Sequence, residues 1–165
     1  MGRALALRSR RLVDPSNPPD DLNSRDVPVT LAPELLGPTV LAAAVPAVGT
    51  AGNDGVAVIG AAPHAGTVTA VTYIPTAAIT GAATNNRRLR LVNKGQAGAG
   101  TTVVAEVQYA SGVNAAAYDE NAVALSGTPA NLVVTAGDVL AWESTHINTG
   151  ITDPGGLARV TLARA

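Results

Sequence analysis

From Asn53-Asp54-Gly55 onward the chain alternates apolar and polar residues in short runs broken by Gly and Asn, the period of two that strands impose. Thr67-Val68-Thr69-Ala70-Val71-Thr72-Tyr73-Ile74 is rich in β-branched residues and stops at Pro75. In the run from Arg87 to Val92, Leu89 and Leu91 share an inward face while Arg88 and Arg90 face outward. The run from Thr101 to Tyr109 sets Val103, Ala105, Val107 and Tyr109 on one face and Thr102, Glu106 and Gln108 on the other. Leu140 and Trp142 point the same way between Val139 and Glu143, as do Ala158, Val160 and Leu162 between Leu157 and Leu162. Shorter strands are expected at 56–59, 121–125 and 132–135. Asn93-Lys94-Gly95 with Gly98 and Gly100, and Gly137-Asp138, read as turns, and 145–156 as a loop. Residues 76–84 are small and Ala-rich, compatible with one helical turn. About eight strands in roughly 110 residues, with Gly-rich turns and no strong helix between them, predict an all-β fold, a single jelly-roll-like β-sandwich.

The first 50 residues have another texture. Seven of the eleven prolines fall at or before Pro46, which breaks any regular element there. Residues 1–12 carry Arg3, Arg8, Arg10 and Arg11 without an acidic residue, and Asp14-Pro15-Ser16-Asn17-Pro18-Pro19 ends any helix they begin. Residues 22–50 mix proline with Val27, Val29, Leu31, Leu35, Leu36, Val40 and Leu41, too apolar for a simple solvated linker. Two organisations fit: a disordered leader, or an extended arm lying on a neighbouring surface, where about 45 residues reach about 150 Å. The arm reading divides the chain into an extended, mostly irregular N-terminal docking arm, 1–50, and a β-sandwich domain, 51–165. In that reading Arg3, Arg8, Arg10 and Arg11 supply charge contacts, since Arg forms bidentate pairs with carboxylates. Leu31, Leu35, Leu36, Val40 and Leu41 supply apolar anchors.

Composition narrows the function classes. The formal net charge is −1 and charged residues are 14% of the chain, which gives no reason to expect a nucleic-acid partner. There is no Cys, so thiol chemistry and disulfides are excluded. No segment approaches the length of apolar chain that spans a bilayer, and the apolar run near Met1 is too short for a signal peptide, so a soluble protein made in the cytoplasm without export is expected and no membrane partner. Aromatic residues are 2% and Phe is absent, so the core rests on Val, Leu, Ile and Ala, which bury less area per residue than aromatic rings. Oligomerisation compensates for such a core. No repeat appears at solenoid or propeller periods.

No constellation of catalytic residues stands out. His64 and His146 are the two histidines; His146 with Asp153 and either Asp138 or Glu143 is the one set that could gather around a metal, and nothing in the spacing demands it. Ser111, Ser126 and Ser144 lack a G-x-S-x-G elbow. Asp119 and Glu120 are adjacent, so in a strand they face opposite ways and cannot form a facing acid–base pair. Gly98-Ala99-Gly100 lacks the third glycine and the helix of a phosphate loop. The expectation is a non-enzyme with no metal and no cofactor. Glycan recognition on a β-sandwich needs exposed aromatic platforms, for which Trp142 and Tyr118 are the candidates, although Trp142 sits in an apolar strand.

The phrases Ala65-Gly-Thr-Val-Thr-Ala-Val-Thr-Tyr-Ile-Pro75, Arg88-Leu-Arg-Leu-Val-Asn-Lys-Gly95, Gly100-Thr-Thr-Val-Val104, Ala136-Gly-Asp-Val-Leu-Ala-Trp-Glu-Ser144 and Asp153-Pro-Gly-Gly156 together resemble small capsid decoration proteins, head-fibre-like or minor capsid, of tailed phages that infect actinobacteria. The resemblance spans Gly66 to Leu162 and leaves the N-terminal segment uncovered. It implies a virion protein on the capsid exterior that binds the major capsid protein, often as a homotrimer at three-fold positions, and braces capsomer junctions. A tail or baseplate structural protein and a host-surface glycan-binding module are the alternatives.

Overall fold

The computed structural model describes residues 37–165. The arginines at 3, 8, 10 and 11 and the leucines at 31, 35 and 36 lie outside the described residues, as does most of the expected arm.

Ten strands form two antiparallel sheets: β1 (Thr39–Val45), β2 (Gly55–Ala61), β3 (Gly66–Pro75), β4 (Asn86–Asn93), β5 (Thr102–Gln108), β6 (Asn121–Ala122), β7 (Ala124–Leu125), β8 (Val133–Val134), β9 (Val139–Ile147) and β10 (Gly156–Arg164). One sheet runs β1-β10-β3-β6, with β8 also pairing with β3; the other runs β2-β9-β4-β5-β7. The fold is therefore all-β, as the alternation predicts. No α-helix occurs among the described residues, and a single 3-10 turn spans Pro129–Leu132.

Inward residues of both sheets meet in one core. Leu89 and Leu91 on β4, Leu140 and Trp142 on β9, and Ala158, Val160 and Leu162 on β10 are all fully buried, on the faces the period of two assigns them. Tyr73 of β3 stacks on Trp142 of β9 with ring centroids 5.3 Å apart and planes at 27°. These two rings, one from each sheet, make an aromatic contact across the layers of a largely aliphatic core.

Four segments depart from the sequence expectation. Residues 39–45 form a sheet strand although they fall in the segment read as an arm. Thr39–Val45 pairs in full register with Gly156–Leu162, and Pro38 and Pro46 sit just outside it, where an edge strand tolerates them. The 145–156 loop begins later than expected, since Thr145, His146 and Ile147 continue β9 opposite Arg88, Arg87 and Asn86. Residues 121–125 do not form one strand. Asn121 and Ala122 pair with β3 in one sheet, Ala124 and Leu125 with β5 in the other, and buried Val123 marks the crossing, its N–H donating to Val71 O at 2.9 Å. Residues 76–84 form no helical turn; Ile79 makes a bridge with Ala115 instead, and both side chains enter the core.

Close backbone approach fixes two glycines. A Cβ on Gly66 would lie 2.0 Å from Ala163 O, and one on Gly156 2.1 Å from Ile74 O. They sit at opposite ends of the β3–β10 ladder, where any side chain would push the strands apart.

Candidate docking surface

Among the described residues, strand edges without a paired neighbour are the feature of this sandwich that bears most on binding. At one side the sheets end in two-residue strands, β6 and β8 in one sheet and β7 in the other. Very short edge strands offer little unpaired backbone, a common way of blunting an edge. At the other side the sheets end in β1 and β2, each of seven residues. Neither strand contains a charged residue or an internal proline, and between Gly37 and Ala61 the only charge is Asp54.

Outward side chains on this side are apolar. Val56 and Val58 on β2 are 66% and 64% exposed, and Val40 on β1 is 47% exposed. Leu157 on β10, paired with Ala44 of β1, adds a further exposed apolar side chain beside them. Of the two expected anchors within the described residues, Val40 is free on the surface. Leu41 is not: it packs, partly buried, against the core of its own sandwich.

Charged residues flank this apolar edge on both sheets. On the β2 sheet, Glu143 stands in register with Val56 and Arg90. Its carboxylate accepts from Arg90 Nη2 at 2.9 Å and from Lys94 Nζ at 2.6 Å. Arg88 Nε lies 3.6 Å from Glu106 in the next strand. On the β1 sheet, Arg159, opposite Ala42, donates to Glu120 at 2.9 Å, and Thr72 Oγ1 donates to the same carboxylate oxygen at 2.7 Å. Arg88 and Arg90 are thus outward, as the alternation predicts.

A polar node lies inside the same end of the sandwich. Arg87 takes the inward position that the alternation of β4 assigns it and is fully buried. Its guanidinium donates to Asn53 O at 2.7 Å and, through Nε and Nη2, to Ile151 O. Asp153, also fully buried, accepts from Tyr73 OH at 2.8 Å and from Gly155 N–H at 3.0 Å. Burial, reinforced by the Asp153 charge, drives the Tyr73 hydroxyl far above its ordinary pKa and pushes Tyr109 up to about 12. Burial also lowers the Arg87 pKa, against the opposing pull of Asp153 and Asp54. The node pins the 145–156 connection to the sheets: Val48 and Asp153 exchange backbone hydrogen bonds at 2.8 and 3.0 Å. A shallow cleft of about 260 Å³ opens beside it, lined by Val45, Val48, Asn53, Asp54, Val56 and Ser144 among others.

The side chains considered for chemistry are dispersed. His146 Nδ1 contacts Asp54 at 2.8 Å, and the His146 backbone N–H donates to the same oxygen. That backbone bond is the main reason the Asp54 pKa lies below its ordinary value. Asp153 belongs to the buried node and Glu143 to the outer ion cluster. Asp138 accepts from Thr135 N–H and Asn93 Nδ2, both at 2.9 Å, so the four residues weighed as a metal set hold separate structural posts. His64 bonds Thr39 Oγ1 at 2.8 Å. Ser144 is buried, and Glu120 is committed to Thr72 and Arg159. Trp142 is 0% exposed and stacked, whereas Tyr118 is 77% exposed.

Sequence reasoning missed the edge itself and the Arg87–Asp153–Tyr73 node. The period of two already placed Arg87 inward, but its partners lie far away along the chain. Comparison with family models, with curated proteins and with solved structures gave no match to this chain.

Proposed function

We propose that this chain is a structural virion protein that binds the outer surface of a phage capsid and reinforces capsomer junctions, a decoration or cement protein acting as a homotrimer on the major capsid protein. The observation that carries this reading is the pairing of a two-sheet sandwich with one long uncharged edge, formed by β1 and β2. Such a body presents a surface for docking, and the charged groups Arg87, Arg90, Lys94, Glu143 and Asp153 hold the fold.

In this reading the sandwich is a jelly roll. The orders β1-β10-β3-β6 and β2-β9-β4-β5 support it, because the outermost strands of the chain pair and successive strands largely alternate between sheets. The N-terminal segment supplies Arg3, Arg8, Arg10 and Arg11 for acidic groups on the shell, and Leu31, Leu35 and Leu36 for apolar grooves. Repetition over a symmetric shell multiplies modest contacts into lasting attachment. Burial of Trp142 counts against the glycan-binding alternative, which is left with Tyr118 as its platform.

Electron cryo-microscopy of the intact particle tests the reading. Density for this chain on the capsid exterior at three-fold junctions is the expected result. Density on the tail would transfer the chain to the tail or baseplate class, and its absence from the particle would overturn the virion reading.

A further inference from the structure

We propose that the β1–β2 edge is the surface by which copies of this chain bind one another. The proposal deepens the homotrimer part of the reading above and rests on it.

Three observations converge on a second copy. First, the two sides of the sandwich are treated oppositely. The β6, β7 and β8 side is blunted to two-residue strands, whereas β1 and β2 present seven residues each with no lysine, no glutamate and no internal proline. A monomer that kept such an edge in water would offer a template for uncontrolled strand pairing. A closed symmetric oligomer removes that hazard, because each copy's edge is covered by another's.

Second, the exposed apolar residues sit where that contact would fall. Val56 and Val58 project from β2 and Val40 from β1, with Leu157 beside them, so the apolar strip wraps the edge onto both outer faces. Third, the strip has the anatomy of a protein–protein interface, an apolar centre inside a polar rim. The rim charges are paired within the chain, Glu143 with Arg90 and Lys94 on one sheet and Glu120 with Arg159 on the other, which leaves a single positive charge in excess on the β2 side. A rim so nearly balanced does not select a strongly charged partner, and two copies meet across the apolar centre with little like-charge repulsion. Seven strand residues give the strip a length of about 24 Å.

The test is the mass of the full-length chain in solution, by light scattering across a concentration series, with no capsid present. Wild type is expected to run as a trimer of 16.4 kDa subunits. Val56→Lys with Val58→Lys is expected to run as a monomer with an unchanged far-ultraviolet spectrum, since both side chains point to solvent. Val133→Lys, on the blunted side, is expected to leave the trimer intact. Val56→Thr with Val58→Thr keeps β-branching and is expected to weaken assembly without unfolding, which covers the case of a lysine variant that fails to fold.

A trimer that survives both pairs of substitutions overturns the edge assignment and leaves the oligomeric reading standing. A wild type that stays monomeric at all concentrations overturns both. A wild type that is already monomeric and whose melting temperature falls on Val56→Lys with Val58→Lys overturns the proposal and gives the edge to another segment of the same chain. Capsid attachment is read separately, so decoration by a monomer would sink the interface without touching the location.

Discussion

Tyr73 joins three parts of the molecule, donating to buried Asp153, stacking on Trp142 and lying in β3 between two neighbours. Tyr73→Phe keeps the ring and removes the donor from a buried carboxylate whose Oδ2 already lacks a protein partner. We expect a loss of about 2 kcal/mol, read as a shift in urea midpoint at constant slope. The same tyrosine sets alkaline behaviour. Its folded pKa is raised, as is that of Tyr109, so the unfolded state loses these protons first. Their contribution is complete below pH 10 and falls as pH rises beyond it, toward about 12 for Tyr109. Tyr73→Phe should flatten that decline in an alkaline denaturation series. The acid limb has the opposite sign. Asp138 is held below its ordinary 3.8, chiefly by the Thr135 N–H, so its contribution is present above that value and is lost as pH falls below it. Asp138→Asn should reduce the acid slope of a pH–stability series. Arg87 shows how far one residue could be read from sequence. Its inward position followed from the alternation, but that a guanidinium would be buried there depended on carbonyls of Asn53 and Ile151, which no local pattern reveals.

At the level of strands, the pattern was legible wherever one face was core and the other solvent. β4 and β10 fall where alternation put them and β9 runs on to Ile147, but in β5 a bulge opposite Leu91 and Val92 breaks the alternation, so that Val104 rather than Val103 is fully buried beside Ala105. β1 was hidden because its Ala-rich sequence between two prolines carries little intrinsic preference, and its pairing with β10 supplies what propensity does not. The crossing at Val123 was hidden for a different reason: the apolar run Ala122–Leu125 looks the same whether it stays in one sheet or changes sheets. The glycines of the β3–β10 ladder give a direct check. Gly156→Ala brings a Cβ against Ile74 O and should destabilise by about 3 kcal/mol, visible in thermal or urea unfolding. Gly127→Ala, with nothing near its Cβ position, should be close to neutral in the same assay.

For the whole molecule, the position of β1 changes what a truncation means. Removing residues 1–36 spares every described strand, and the remaining chain should melt cooperatively near the full-length value while, on the proposed reading, capsid attachment drops. Removing residues 1–50 also deletes β1, with Val45 from the core and Leu41 from its margin, and should cost about 3–5 kcal/mol of stability by calorimetry. Normal decoration of shells by the shorter deletion would end the arm hypothesis. The docking surface itself was only partly legible. Composition pointed to association through its poverty in aromatic residues, but the edge emerges only when β1 and β2, separate in sequence, are seen to end their sheets at the same side.

The order of pairing also bears on how the chain comes to fold. β1 waits for β10 and β2 waits for β9, so of the described strands the two that leave the ribosome earliest are the last to find partners. Through most of synthesis both are uncharged, apolar and unpaired, and the long-range closures that bury them are intrinsically slow. Yield of folded protein should therefore depend on how fast translation supplies the C-terminal strands relative to collisions between nascent chains. Lower growth temperature or a chaperone that shields early strands should raise it, with no change in the stability of the finished molecule.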